Sequence, residues 1–234
     1  MKDVFQFKQF NVRQAGSVMR VNTDGVLLGA LTQMSQVQHI LDIGTGTGVI
    51  ALMSAQRFPD AFIDAIDIDP VAVDCATQNF RESVFENRLQ AHQVGVEDYQ
   101  NVGQYQLIVS NPPFFVEDLK NPDPNKRRQR HTHVLFFKVL FERIVLWLDM
   151  PGRFYLIWPP HVRNQMLSYA RQVGLHECHT IHIHSFADKA AFRMISVFSR
   201  VPEPVDNASF VIYDAPGRYT DAYKTLLQAF LLRL

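Results

Sequence analysis

The sequence predicts an α/β protein built on a single doubly wound, largely parallel sheet. Three observations predict it. Residues 39–110 alternate short apolar runs with stretches of helical spacing, the pattern of parallel strands joined by right-handed crossovers. The first apolar run stops at a glycine-rich turn that opens a helix. The chain has 234 residues, of which 47% are hydrophobic, enough for one domain with a sizeable core.

The elements follow in order. "HILDIG" (39–44) reads as a strand halted by glycine, and "VIALMSAQRF" (49–58) as a helix that stops before Pro59. "AFIDAIDI" (61–68) is the next strand. "PVAVDCATQNF" (70–80) is a helix with proline in its first turn, where no N–H is needed. "RLQAHQV" (88–94) and "YQLIVS" (105–110) are two further strands. In the second half, "VLFFKVLFERIVLWLD" (134–149) reads as a long, mostly buried helix and "GRFYLIWP" (152–159) as a strand. "VRNQMLSYARQVG" (162–174) is a helix closed by glycine. "LHECHTIHIHS" (175–185) and "AFRMISVFSR" (191–200) complete a set of seven strands. The tail adds a short strand and a helix capped near Thr220. Residues 116–133 read as one long irregular connection, a length that usually serves function.

This organisation divides the chain into a cap segment (1–38), a core (39–200) and a C-terminal strand-helix addition (201–234) within one domain. Acidic and basic residues balance at 23 each, which argues against a protein that coats nucleic acid generally, though not against a local basic patch. Cys75 and Cys178 lie far apart and suggest no disulfide framework, so a reducing cytoplasm is expected. The N-terminus is too polar for a secretory signal, and no apolar run is long enough to span a membrane. The oligomeric state is not set by the sequence; a monomer is expected.

"LDIGTGTG" places Gly44, Gly46 and Gly48 between a strand and a helix. Such a turn lets a ligand approach the backbone and the unpaired N–H groups of the helix start. The same glycines alone would also serve a purely structural turn. The spacing is G-x-G-x-G rather than the dinucleotide G-x-G-x-x-G, because position 49 is valine. Asp67 ends the next strand, where a carboxylate can accept both hydroxyls of a ribose. Asp69 faces the same way, but it precedes Pro70 and reads better as a helix cap. This pattern resembles class I S-adenosylmethionine-dependent methyltransferases. The resemblance implies S-adenosyl-L-methionine as cofactor, with contacts from Asp42, Gly44, Thr45, Gly46, Gly48, Asp67, Ile68, Gly95 and Val96. Gly95 stands where such enzymes often carry an acid for the adenine amino group. Glu97, Asp98 or the backbone of Gly95 and Val96 are the substitutes.

After the fourth core strand comes "NPPF": Asn111, Pro112, Pro113 and Phe114. In a sheet of this kind that corner faces the ligand crevice. The Asn111 side-chain carbonyl and the Pro112 peptide oxygen offer two acceptors to one amino group, and Phe114 offers a flat face to a base. An aromatic amine is a weak nucleophile because its lone pair is delocalised. Two acceptors on its N–H bonds favour a more tetrahedral nitrogen and aim the lone pair, which is positioning plus preorganised electrostatics. Taken alone, the prolines would only mark a turn.

"NPPF" is similar to the N-P-P-[YF] motif of amino-methyltransferases that act on adenine, cytosine, guanine or glutamine amide. "FKQFNV" (7–12), "MRVNTDGVLLGAL" (19–31) and "YTDAYKTLLQAFLLRL" (219–234) narrow the resemblance to the bacterial tRNA1(Val) adenine-37 N6-methyltransferase family, over nearly the whole chain. That resemblance implies N6-methylation of adenine 37 in the anticodon loop of a valine tRNA. It also sets Thr23-Asp24-Gly25 over the cofactor's methionine end, although Asp24 serves equally well as a helix cap. Phe114 departs from the commoner tyrosine but keeps the ring.

"NKRRQR" (125–130) supplies Lys126, Arg127, Arg128 and Arg130 as candidates for RNA phosphates. "HECHTIHIH" (176–184) lacks the separated partner set of a metal site, so no metal is expected. Two alternatives stand beside the main reading. One is a glutamine-amide N5-methyltransferase acting on a protein, for which a separate N-terminal helical domain would be expected. The other is an RNA-binding module without catalysis, against which the intact Asn111–Phe114 corner counts.

Overall fold

The computed structural model describes residues 3–14, 18–100, 104–113 and 124–233; of residues 124–134 it describes the backbone alone. Phe114 therefore lies outside the described residues. Strands β1 (Val4–Gln6) and β2 (Asn11–Arg13) form a small antiparallel hairpin, followed by helix α1 (Thr23–Leu31). Then β3 (His39–Ile43), α2 (Val49–Arg57), β4 (Phe62–Asp67), α3 (Pro70–Arg81), β5 (Leu89–Gln93) and β6 (Tyr105–Ser110) follow the expected alternation closely. The second half contains α4 (Pro124–Trp147), β7 (Leu148–Trp158), α5 (Arg163–Gln172), β8 (His176–His184) and β9 (Arg193–Ser199). The tail holds β10 (Asp206–Val211), a ribbon of β11 (Tyr213–Ala215) and β12 (Arg218–Tyr219), and α6 (Asp221–Leu227).

The central sheet runs β5-β4-β3-β6-β7-β9-β8-β10. All neighbours are parallel except β9, which is antiparallel to both β7 and β8. The seven expected strands are present, and the tail strand β10 extends them to eight by pairing with β8. The chain builds outward from β3 to β5, then returns to place β6 on the other side of β3. The carboxyl ends of β3, β4 and β6 thereby open a crevice at the point where the order reverses.

Alternation along each strand divides the core into two layers. Ile40, Ile63, Leu107 and Val109 pack under α1 and α2. Leu41, Ile43, Ile66 and Ile108 pack under the buried side of α4, where Phe137, Phe141 and Ile144 meet them. The segment expected as an irregular connection is helical from Pro124 onward, so α4 starts ten residues before the expected 134. The sequence carried the signal. Pro124 suits a first helical turn, and lysine, arginine and glutamine are good helix formers.

The N-terminal segment is fastened to the core at two places. Asn79 of α3 accepts the Arg13 N–H at 2.8 Å, and its Nδ2 donates to the Arg13 carbonyl (3.1 Å) and the Thr47 carbonyl (2.8 Å). At the other end, the Lys8 N–H donates to the Phe230 carbonyl at 2.8 Å and Phe7 bridges to Leu231. Arg57 lies over the Phe230 ring, 5.4 Å from its centroid.

Asn22, not Asp24, caps α1: its side chain accepts the Gly25 N–H at 2.9 Å. Asp24 instead receives Arg193 Nε at 2.7 Å, an ion pair with the start of β9. Replacing Asn22 with alanine is expected to cost about 1 kcal/mol, read as a fall in Tm of roughly 2–4 °C.

Candidate active site

At the sheet's reversal point lies a cavity of about 950 Å³. Its walls are Gly44–Thr47 after β3, Asp67–Asp69 after β4, Val94–Glu97 after β5 and Ser110–Pro113 after β6. The N-terminal segment closes one side with Val18–Arg20, Asn22 and Gly25, and Phe136 of α4 closes another. Thr23 and Asp24 are not part of the wall, although their neighbours are.

The glycine turn is held by the adjoining strand. The Gly44 and Thr45 N–H groups donate to the Ile66 carbonyl at 2.8 and 3.1 Å. Two glycines are required for different reasons. Gly44 has φ +72°, and a Cβ there would meet nothing within 4 Å, so its α-carbon stands open beside the cavity. Gly48 has φ +80°, and a Cβ there would stand 2.5 Å from the Phe80 ring. Gly48 lies behind the wall and permits packing of α2 on α3.

Asp42, another sequence candidate, also lies behind the wall. It is fully buried, accepts Thr45 Oγ1 at 2.7 Å through Oδ2, and its Oδ1 has no partner among the described residues. Burial pushes the Asp42 carboxyl up to about 7, against the lowering effect of the Thr45 hydroxyl and the Ala51 N–H. A carboxyl whose folded pKa exceeds its unfolded value stabilises the fold at low pH and loses that contribution as pH rises through the folded pKa. Wild-type stability should therefore fall between about pH 4 and 7, at up to roughly 1.4 kcal/mol per pH unit. Asp42→Asn should lose this slope, so the difference in Tm between the two should shift in favour of asparagine from pH 5 to pH 8. Thermal melts of the cofactor-free proteins check this.

Asp67 sits on the wall as expected. Its Oδ2 accepts the Gly46 N–H at 2.9 Å and its Oδ1 accepts the Asp69 N–H at 3.0 Å, so one carboxylate ties the glycine turn to the loop after β4. Asp69 caps α3, accepting the Val71 N–H at 2.9 Å, as its place before Pro70 predicts. Ile68 between them is 69% exposed and lines the cavity with its apolar side chain. Beyond β5, Gly95 and Val96 line the wall. Of the two acids expected to substitute there, Glu97 lies on the wall and Asp98 does not. The Glu97 carboxylate folds over Gly95, 3.1 Å from where a Cβ would stand.

The Asn-Pro-Pro corner completes the cavity. Ser110 Oγ donates to the Ile43 carbonyl at 3.0 Å, holding the end of β6 against β3. Asn111 is half-buried, and its amide has no hydrogen-bond partner among the described residues. Its Nδ2 lies 3.7 Å from where a Gly25 Cβ would stand, so α1 approaches the corner closely. Pro112 is buried and Pro113 exposed. Lys126, Arg127, Arg128 and Arg130 fall on the backbone of α4, and their side chains lie outside the description.

Phe136 is a wall residue that the sequence reading assigned only to a buried helix. Its ring meets Phe137 edge-on, with centroids 5.3 Å apart at 78°. Successive helical residues point about 100° apart, so Phe137 fills the core while Phe136 turns to the cavity. The pair of phenylalanines was the available signal. The histidines of β8 are half-buried and spoken for in part: His179 pairs with Asp206 at 3.0 Å, and His184 meets the Lys189 carbonyl at 2.7 Å. Among the described residues, no three His, Cys, Asp or Glu side chains cluster to hold a metal. Cys75 and Cys178 are both buried and unbonded to each other. No described helix is long and apolar enough to cross a membrane.

A parallel sheet with one antiparallel strand, and a glycine turn facing an acid on the neighbouring strand, is the arrangement of class I methyltransferases. A crystal structure of a predicted O-methyltransferase from Agrobacterium tumefaciens shares the fold, with a TM-score of 0.71 over 88% of this chain and 96% of that one, at 15% identity. Residues 21–133 match the family described as the methyltransferase small domain. A Pedobacter heparinus protein curated as tRNA1(Val) (adenine(37)-N6)-methyltransferase is 47% identical over 232 residues, 99% of each chain. One of the same name from Actinobacillus pleuropneumoniae serotype 7 is 38% identical over 231 residues, 98% of each. The chain belongs to the tRNA1(Val) (adenine(37)-N6)-methyltransferase family.

Proposed function

We propose that this chain transfers a methyl group from S-adenosyl-L-methionine to N6 of adenine 37 in the anticodon loop of tRNA1(Val). The observation that carries the reading is the position of Asn111. Its amide, without a hydrogen-bond partner among the described residues, shares one cavity wall with the glycine turn and Asp67. The residues present fit an adenosyl sulfonium. Gly44 leaves open space beside the backbone, Asp67 offers carboxylate lone pairs for ribose hydroxyls, and Ile68 and Val96 offer apolar sides for an adenine. Bound there, the cofactor supplies an electrophilic methyl carbon.

The rest is the work of the chain's own groups. The Asn111 side-chain oxygen and the Pro112 carbonyl accept the two N–H bonds of the target amine. This aims the nitrogen lone pair and stabilises the charge that develops on it. The amine's proton leaves to solvent after transfer, so no strong base is required. Phe136 and the prolines give the base an apolar surround, and Phe114 belongs to the same corner by sequence. Lys126, Arg127, Arg128 and Arg130, on the helix that follows the corner, are the residues proposed to meet RNA phosphates. The chain acts as one domain, with 39–200 as catalytic core, 1–38 as cap and 201–234 as addition, and works in the cytoplasm. The placement of β3 to β9 within residues 39–199 supports that division.

Incubation with labelled cofactor and unmethylated total tRNA, followed by nucleoside mapping, tests the reading. The expected product is N6-methyladenosine at position 37 of tRNA1(Val). Label at another position, or on a nucleoside other than adenosine, would refute it.

A further inference from the structure

A second, smaller pocket of about 250 Å³ lies at the far end of the sheet's carboxyl edge. Phe186, Tyr213, Gly217 and Tyr219 line it. The rings form a continuous stack. Tyr213 and Tyr219 are cross-strand partners in the β11–β12 ribbon, with centroids 5.0 Å apart at 21°. Tyr219 stacks in turn on the buried Tyr223 at 4.5 Å and 13°, and Phe186 leans on Tyr213 at 5.6 Å. The backbone fixes this arrangement. The Ile212 and Tyr213 N–H groups donate to the His184 and Ser185 carbonyls at 3.0 and 2.9 Å, and the Thr220 N–H donates to the Ile212 carbonyl at 2.9 Å. Gly217 has φ +74°, with nothing within 4 Å of where a Cβ would stand, so the mouth stays open.

β8 and β10 run parallel to β6 in the sheet, so the pocket opens on the same edge as the catalytic cavity. Between β6 and β8 lie only β7 and β9, three inter-strand steps or roughly 15 Å. Arg193, paired with Asp24 beside the cavity wall, starts the strand that lies between. We infer that this aromatic pocket is a second base-binding subsite, stacking one unpaired nucleobase of the RNA whose target adenine enters the catalytic cavity. The occupant follows from two features. A pocket lined by half-buried aromatic rings suits a flat π-system of any sequence, and the shared edge places the pocket where an RNA loop engaged at the cavity continues. The inference rests on the RNA-methylating reading given above.

Steady-state methylation of an anticodon stem-loop or whole tRNA, with wild type and with Phe186→Ala, Tyr213→Ala and Tyr213→Phe, tests it. The alanine variants should raise KM for RNA about 10-fold, with kcat and the Kd for S-adenosylmethionine within about twofold of wild type. Tyr213→Phe keeps the ring and should keep the wild-type KM. An unchanged KM in both alanine variants, or an equal loss in Tyr213→Phe, overturns the subsite while wild-type turnover leaves the function standing. Absence of wild-type tRNA methylation overturns both. Photocrosslinking of wild type to a 4-thiouridine-substituted stem-loop needs no variant to fold. Adducts on Phe186, Tyr213 or Tyr219 support the subsite, and adducts confined to the catalytic cavity overturn it.

Discussion

Replacing Asn111 with alanine is expected to lower kcat by about 100- to 1,000-fold, the usual cost of removing one preorganised polar contact to a reacting group. The Kd for S-adenosylmethionine should change by less than about threefold, because Asp67, Gly44 and the apolar wall are untouched. The structure makes the separation clean. Asn111 has no hydrogen-bond partner among the described residues, so alanine breaks no internal bond. Its nearest constraint is packing against Gly25. Asn111→Asp keeps an acceptor and sets a negative charge beside the positive charge that develops on the nitrogen, so it should retain more rate than alanine. Calorimetric titration of cofactor beside single-turnover methyl transfer reads both quantities. A proportional loss of binding and rate would remove Asn111 from the chemistry.

Replacing Asp67 with alanine should act the other way round. Cofactor Kd is expected to rise about 100-fold, since hydrogen bonds to a charged group are worth roughly 1.5–3 kcal/mol each. The rate at saturating cofactor should fall by less than about tenfold. Two losses combine here. In the proposed binding mode the ribose hydroxyls lose their acceptor, and the Gly46 and Asp69 N–H groups lose theirs, which frees the glycine turn from the loop after β4. Asp67→Asn separates them. Its side-chain oxygen can still accept one N–H, so Asn should retain more affinity than Ala if ordering of the turn matters. Equal losses in both variants would assign the whole effect to charge.

The parts of the site that the sequence made legible are those encoded locally. The turn Gly44–Gly48 and the corner Asn111–Pro113 each follow a strand directly, and a strand's end fixes where its next residues go. Asp69 was readable as a cap because proline follows it. The cap of α1 was not readable in the same way. Asn22 and Asp24 are both good caps, and the choice is made by Arg193, which claims Asp24 from 169 residues away. Glu97 and Asp98 were indistinguishable for a related reason: which of them faces the cavity depends on the turn closed by the Asp98 and Tyr99 N–H groups on the Gly95 carbonyl. Asp42 and Gly48 have the spacing of ligand contacts but stand one layer behind, and only the full burial of Asp42 and the Phe80 ring against Gly48 reveal that. The charged stretch before 134 is helical although its polarity suits a loop equally well. A solvated helix face has the same composition as a loop.

The fastening of Phe7 and Lys8 to Gln228, Phe230 and Leu231 has a consequence for synthesis. A ribosome adds about 5–20 residues per second, so the strand end at Phe7 waits roughly 10–45 s for the partner some 220 positions downstream. The cap that flanks the cofactor wall thus gains its last anchor only once translation has passed the tail. An interrupted polypeptide lacking that stretch would keep the Asn79 hold on Arg13 but lose the second anchor of its N-terminal segment, and so would be less well placed to retain cofactor or to compete for RNA with full-length copies.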